Sequence, residues 1–374
     1  MRVLYVVHTT SNDGSTISFL NMVGGLHALG VDIVVAGPTP KEYFIDKINQ
    51  IGARYYSICI AESVYPTTAS NHLMVFLRII NLIRRKIKSY SDILRVVRVE
   101  HPNIIHTNVG TIHEGLAVAK RFKIPHIWHV REYQRKDSKW SPFPSLSYLK
   151  KKFKDSNVVA ISKGLICYYS LENNPRAIVI YNGISSETSE NVIWPRDNHF
   201  ISASRISEEK KIDDMIRAFS LFYADHRDYR LVIFGDGNDM YVNALKDLTK
   251  QLNCEEGVEW RGYSNNVMEY MRRATGLIVA SYNEGFGRMT AEACIAGCLV
   301  IGRNSGGTKE IIEQTGGFLF DSVEELYQDM VTLSKYTMND YIRVSSSAQK
   351  VAINSFSIDN NVRSIMELYH NIIG

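Results

Sequence analysis

Short apolar segments, each closed by a polar turn and followed by a stretch of helical spacing, recur along this chain, and the pattern restarts in its second half. In the first half Val3–Val7, Val31–Ala36, Asn103–His106, Ile124–Val130 and Asn157–Ile161 read as strands, and Ile17–Leu29 reads as a helix ending at Gly30. In the second half Phe200–Ala203, Arg230–Phe234, Gly276–Ala280 and Leu299–Gly302 read as strands, with helices expected over Asp239–Leu252 and Thr290–Ala296. Strands that alternate with helices imply a parallel sheet covered on both faces. The expected class is therefore α/β, with two Rossmann-like, doubly wound parallel-sheet domains. A chain of 374 residues suits two domains of roughly 100–200 residues each. The turn Tyr181-Asn182-Gly183 follows the apolar run Ala177–Ile180 and is the expected joint. That gives residues 1–183 and 184–357, with the helical segment Ile358–Ile373 folding back so that 358–374 joins the first domain.

Composition excludes several classes. Hydrophobic content of 45% and charged content of 22% are those of an ordinary globular protein. No apolar run is long enough to cross a bilayer; Leu73–Ile83 comes nearest, but Arg78 interrupts it and Arg84-Arg85-Lys86 follows. The apolar start stops at His8, too early for a secretory signal, so a cytoplasmic location is expected. The five cysteines form no CxxC, which argues against both a disulfide framework and a zinc site. Cys294 and Cys298 stand four apart on a predicted helix and read as core residues. Residues 1–186 hold 24 Lys+Arg against 12 Asp+Glu, whereas the rest holds 19 against 27. Such a split suggests domains with different partners. The basic residues are dispersed and no nucleic-acid recognition motif appears.

The chemistry concentrates in Ala280–Gly307. A predicted strand ends at Ala280, a Gly-rich loop follows, and a helix starts near Arg288. Gly285 and Gly287 permit a sharp turn and close approach of a ligand. The amides of a helix start, here Gly287–Met289, suit a diphosphate. Glu284 and Glu292 flank the loop; a carboxylate is a natural partner for sugar hydroxyls, although a loop glutamate and a solvated helix glutamate would read alike in isolation. Arg205 and Lys210 follow the first strand of the second half, and both cations suit phosphate oxygens.

Taken together, Arg205-(x4)-Lys210, Gly235-Asp236-Gly237, Glu284-Gly285-Phe286-Gly287 with Glu292, Gly297, Gly306-Gly307 and Glu310 resemble glycosyltransferase family 4 of the GT-B fold, with its E-x7-E motif. The resemblance implies two Rossmann-like domains with an interdomain cleft, a nucleotide-diphosphate sugar as donor, retention of anomeric configuration, and no metal or cofactor. It implies donor contacts from Arg205, Lys210, Gly235, Gly285, Phe286, Gly287, Arg288, Met289 and Glu292. In the first half, Gly14-Ser15 stands where such enzymes place a turn against the donor phosphate, and His129 where many place a histidine facing the sugar. Glu284, His129, Arg205 and Lys210 are the implied catalytic set; His8, His106 and His113 read better as loop-edge or structural histidines. The chain departs from the family pattern at Arg288, Lys211 and Ala280, which leaves the donor sugar open. A sugar-nucleotide epimerase of the same fold, or a non-catalytic sugar-nucleotide-binding subunit, would carry similar donor residues. A nicotinamide dehydrogenase would want GxGxxG after the first strand, where Thr9–Ser15 has one glycine.

The acceptor is expected to be a glycan or lipid-linked sugar in cell-surface polysaccharide synthesis. The basic segments Arg84–Arg98 and Lys150–Lys154, with Lys136, Lys139 and Trp140, suggest peripheral association with an anionic membrane, and Trp140, Phe143 and Phe153 are candidates for shallow insertion.

Overall fold

A computed structural model describes residues 1–66, 72–134, 140–185, 192–264 and 266–374; Lys136 and Lys139 lie outside them. The chain forms two compact units, Met1–Gly183 with Ile358–Gly374, and Ile184–Ser357.

The first unit runs β1 (Arg2–Val6), α1 (Gly14–Ala28), β2 (Asp32–Gly37), α2 (Glu42–Ile51), β3 (Arg54–Ser57), β4 (Val64–Pro66), α3 (His72–Glu100), β5 (Ile104–Thr107), α4 (Glu114–Phe122), β6 (His126–Val130), β7 (Trp140–Pro142), α5 (Leu146–Lys154), β8 (Asn157–Ala160), α6 (Lys163–Tyr169) and β9 (Ala177–Val179). The second runs β10 (Asp197–Ala203), α7 (Ile212–Tyr223), β11 (Arg230–Phe234), α8 (Asp239–Gln251), β12 (Val258–Gly262), α9 (Val267–Arg273), β13 (Ala274–Val279), α10 (Arg288–Ile295), β14 (Val300–Arg303), α11 (Gly306–Thr315), β15 (Phe318–Phe320), α12 (Val323–Ser334) and α13 (Met338–Phe356). The last helix, α14 (Ile358–Ile373), belongs to the first unit.

Among the described residues, the first unit holds a seven-stranded sheet ordered β3-β2-β1-β5-β6-β8-β9 and the second a six-stranded sheet ordered β12-β11-β10-β13-β14-β15. Every pair in both sheets is parallel. Successive side chains of a strand point to opposite faces, and β1 shows the result. Val3 and Tyr5 pack with Phe19, Met22 and Leu26 of α1 and with Ile365 and Tyr369 of α14. Leu4 and Val6 pack with Ile93, Val96 and Val97 of α3 and Val118 of α4. Each large apolar side chain buried this way contributes about 1.5–3 kcal/mol. In the second unit Phe200, Leu231, Ile233 and Ile301 pack with Phe219 and Phe222 of α7 and Leu326 and Met330 of α12.

Strand order reverses beside the first strand of each sheet, between β1 and β5 and between β10 and β13. Ligands of open α/β sheets bind outside the carboxyl ends of the strands at such reversals. In the second unit this brings together the loops that follow β10 and β13.

Two sequence expectations need correction. Cys298 is not on the helix with Cys294: α10 ends at Ile295, and Gly297 takes φ +70° in the turn that follows. Both thiols are buried. Phe153 cannot insert into a membrane, because it is fully buried, its ring 5.3 Å from that of Trp128 and 5.0 Å from that of Tyr169.

Candidate functional site

The loop after β10 carries Arg205 and the short turn Glu208–Lys210; the loop after β13 carries Glu284 and leads into α10. Lys210 Nζ lies 2.6 Å from Glu284 Oε1 and bridges the two loops. Burial alone would raise the Glu284 carboxyl, but the charge and hydrogen bond of Lys210, with a hydrogen bond from Ser281, hold it below the usual carboxylate range. Arg205, five residues before Lys210, is exposed. Gly235 lies against the Ser204 carbonyl, and Ile206 N–H donates to Asp236 O at 2.8 Å, so the Gly235-Asp236-Gly237 loop supports the Arg205 loop.

Helix α10 begins at the end of the glutamate loop. Its N-cap, Gly287, has φ +88°, a left-handed conformation that glycine adopts without strain; Gly285 is not left-handed. Gly287 has no side chain with which to cap the first turn of α10, which contains Arg288 and Met289, and the backbone amides expected to hold an anion belong to the positive end of the helix. Arg288 Nε lies 2.6 Å from Glu292 Oε1 one turn on. Each glutamate of the motif therefore has its own cation. Phe286 does not face solvent: it is buried and packs edge-on to Phe356 at 5.7 Å. A second glycine fixes the loop from behind. Gly307 N–H donates to Glu284 O at 2.7 Å, and a Cβ on Gly307 would lie 2.1 Å from Phe286 O, so no side chain fits there.

Arg303, on β14, was not singled out in the sequence. Its guanidinium is almost wholly buried, with 3% of the side chain exposed, and pairs with Asp214 of α7. It donates to Ala280 O (3.1 Å), Tyr282 Oη (3.2 Å) and Asp321 O (3.1 Å), with the Tyr282 ring 4.3 Å away. Arg303 thus pins the base of the glutamate loop to α7 and to the turn after β15. No local motif marks it, because its partners come from three separate segments. Arg303→Lys keeps a charge for Asp214 but cannot reproduce the fork, leaving carbonyls unpaired at about 1–3 kcal/mol. A lower melting temperature together with weaker nucleotide binding is the expected result; wild-type values for both would remove the pinning role.

In the first unit the expected residues are differently placed. Ser15 gives both its amide (3.0 Å) and its hydroxyl (2.7 Å) to Asp13 Oδ1, which also accepts from the Thr16 amide (3.0 Å). The start of α1 at Gly14 is thus capped by the carboxylate of Asp13. His129, at the carboxyl end of β6, does not present an open face: it is fully buried. Its Nδ1 lies 3.2 Å from His106 Nε2 and 3.5 Å from an Arg131 amino group. Burial and the Arg131 charge push the pKa values of His129 and His106 well below the usual histidine range. Burial likewise pushes His113 down to about 2.

Residues 186–345 match the family of glycosyl transferases group 1. The matched segment lies within the second unit. Over the longer span the chain is 24% identical to an alpha-monoglucosyldiacylglycerol synthase of Acholeplasma laidlawii, covering 96% of this chain and 94% of that protein. It is 28% identical to an N-acetylgalactosaminyltransferase of Campylobacter jejuni that acts on a diphospho-undecaprenol-linked sugar, covering 41% of this chain and 43% of the other. Among solved structures it resembles Anabaena HepE in complex with UDP, with a TM-score of 0.78 and 17% identity over 99% of this chain and 100% of that one. This likeness extends through both units and shows the GT-B fold. Arg205, Lys210, Glu284, Arg288 and Glu292 all fall in the matched segment.

Proposed function

We propose that the chain is a retaining, metal-independent glycosyltransferase that moves a hexose-type sugar from a nucleotide-diphosphate sugar to a glycan or lipid-linked acceptor in cell-surface polysaccharide synthesis. The observation that carries the reading is the Lys210–Glu284 pair on the loops that follow β10 and β13, the latter leading into the start of α10, at the strand-order reversal of the second unit. A diphosphate on the α10 amides competes with Glu284 for Lys210, which frees the carboxylate for a sugar hydroxyl. As the anomeric bond breaks, negative charge grows on the leaving phosphate, and preorganised cations and amides there lower the barrier. In this reading the leaving phosphate takes the acceptor proton, and no side chain is assigned as base. Arg288 orients one oxygen of Glu292, leaving the other for a ribose hydroxyl.

HepE has also been solved with UDP-glucose, so UDP-sugars are the first donors to test. A thermal-shift panel of UDP-, GDP- and ADP-sugars is expected to pick out one base, since a ligand of the folded state raises its melting temperature by mass action. Turnover with the selected donor should survive EDTA, because Lys210, Arg205 and the α10 amides supply the positive charge. No shift with any nucleotide sugar overturns the donor assignment, and loss of turnover restored by a divalent ion overturns the metal-independent mechanism.

The lipid-linked acceptor draws support from α3. Phe76, Ile83 and Ile87 are 59%, 47% and 67% exposed and, with Ile80, recur at helical spacing on one stripe. Arg84, Lys88 and Arg95 are exposed beside it, and Trp140 is 45% exposed. An apolar stripe edged by cations suits an anionic bilayer, each cation contributing about 1 kcal/mol near its surface. Sedimentation with liposomes is expected to rise with anionic lipid and to fall steeply between low and high salt, as screening requires. The absence of binding to anionic vesicles at low salt would favour a soluble acceptor.

A further inference from the structure

Beneath the carboxyl ends of β1, β5 and β6, four aromatic side chains form one buried chain of hydrogen bonds. Tyr5 Oη lies 2.5 Å from Tyr369 Oη, which lies 2.7 Å from His106 Nδ1. His106 Nε2 lies 3.2 Å from His129 Nδ1. All four side chains are fully buried. Such a chain can be polarised in either of two directions, and heavy-atom positions alone do not choose between them.

Arg131 makes the choice. Its guanidinium is buried, donates to Asn108 Oδ1 at 3.0 Å and Asn182 Oδ1 at 2.6 Å, and sets a third N–H toward His129 Nδ1 at 3.5 Å. A guanidinium is donor only. His129 Nδ1 must then carry a lone pair, because a proton there would face both the Arg131 N–H and the cation's charge. With that end fixed, every other proton follows. His106 donates from Nε2 to His129, Tyr369 donates to His106 Nδ1, and Tyr5 donates to Tyr369. In the reverse direction the Tyr5 hydroxyl proton would also lose its acceptor.

We infer that Arg131 holds His129 as the neutral tautomer protonated at Nε2, and that this fixes the direction of every hydrogen bond behind it, through His106 and Tyr369 to Tyr5. His129 Nε2 is buried and has no hydrogen-bond partner among the described residues. Buried polar atoms are nearly always paired, so an aligned relay that ends on an unpaired N–H keeps one donor in reserve at the carboxyl end of β6. The inference concerns proton positions in the free protein and stands whether or not the chain transfers sugar.

The test is nitrogen NMR on the full chain labelled with 15N-histidine, whose two-bond proton–nitrogen correlations distinguish the two neutral tautomers and the cation. His129→Gln and His106→Gln assign the signals by their disappearance. Both rings are expected as Nε2–H tautomers. In Tyr369→Phe, which keeps the ring volume, both tautomers should persist while the His106 Nδ1 resonance moves to the position of an unbonded nitrogen. In Arg131→Met, His129 should populate both tautomers. An Nδ1–H or cationic His129 in the unaltered chain overturns the inference, as does an unmoved His106 Nδ1 signal in Tyr369→Phe. The latter variant keeps the test decisive should Arg131→Met fail to fold.

Discussion

Lys210→Ala is expected to lower the rate of glycosyl transfer by about two to three orders of magnitude while leaving the second unit folded. The size follows from the usual effect of deleting one preorganised group aimed at charge that develops in the transition state, roughly 10²–10³ in rate. Two losses combine. The leaving phosphate loses a cation, and Glu284, whose carboxylate Lys210 neutralises at 2.6 Å, is left as an uncompensated negative charge beside the incoming diphosphate. Lys210→Ala combined with Glu284→Gln should therefore recover donor binding more than turnover. Stability should change little, because the Lys210 and Glu284 side chains are 24% and 21% exposed and partly screened pairs contribute little to folding. Steady-state kinetics with the donor selected by thermal shift decides the matter: a variant that turns over like the parent removes Lys210 from the phosphate site.

The second large effect is acid lability of the first unit. His106, His113, His126 and His129 are all buried there, and burial is the leading cause that lowers each of them, His126 to about 3 and His113 to about 2. The folded unit keeps these rings neutral, whereas the unfolded chain protonates them below about pH 6.5. The unfolded state thus binds more protons, and stability falls as pH drops through that value. At pH 5 His113 and His126 each cost about 2 kcal/mol, and His106 and His129 act in the same direction. Glu132, raised by burial, works in the opposite direction in the same unit. A net loss of a few kcal/mol is a large part of the whole stability of many domains, about 5–15 kcal/mol. In the second unit, burial and Glu325 push Asp329 up to about 6, which favours the folded form in acid. The two units should therefore separate in urea titrations at pH 5, the first unfolding well before the second, and differently from their behaviour at pH 7. Trp128 and Trp140 report on the first unit and Trp194 and Trp260 on the second, so single-tryptophan variants resolve them. A urea midpoint for the first unit that does not move between pH 7 and pH 5 would mean that its histidines are not held neutral.

Much of this architecture could be read from the chain because parallel strands covered on both faces are apolar throughout. Arg230–Phe234 and Val3–Val7 needed no partner to be recognised. The elements that escaped notice sit at sheet edges. Strand β3 reads Arg-Tyr-Tyr-Ser and β12 reads Val-Glu-Trp-Arg-Gly, with one side exposed to water and no apolar run to mark them. Helix α3 was visible only as an apolar piece and a basic piece, since its hydrophobic residues are divided between the core and an exposed stripe. At the candidate site, the loop after β13 was legible through its glycines and its spaced glutamates. The pairings Lys210–Glu284 and Arg288–Glu292 were not, because sequence spacing identifies which groups are present and not which one each will hold. His106 looked like a structural histidine in isolation; only its neighbours show that both its nitrogens are engaged in a directed chain.

Helix α14 completes the first unit only after the whole second unit has been synthesised. Val362, Ile365 and Tyr369 fill the core beside α1, and Val362 occupies the space over Gly25 where a Cβ would collide at 2.4 Å. A ribosome-bound chain that has finished α6 and β9 therefore carries a sheet with one apolar flank uncovered, and must keep it soluble while roughly as many residues again are made. The second unit has no such debt, since all of its strands and helices are contiguous. Order of synthesis and order of folding are thus expected to differ, with the later-made domain settling first and the earlier one waiting for its last helix.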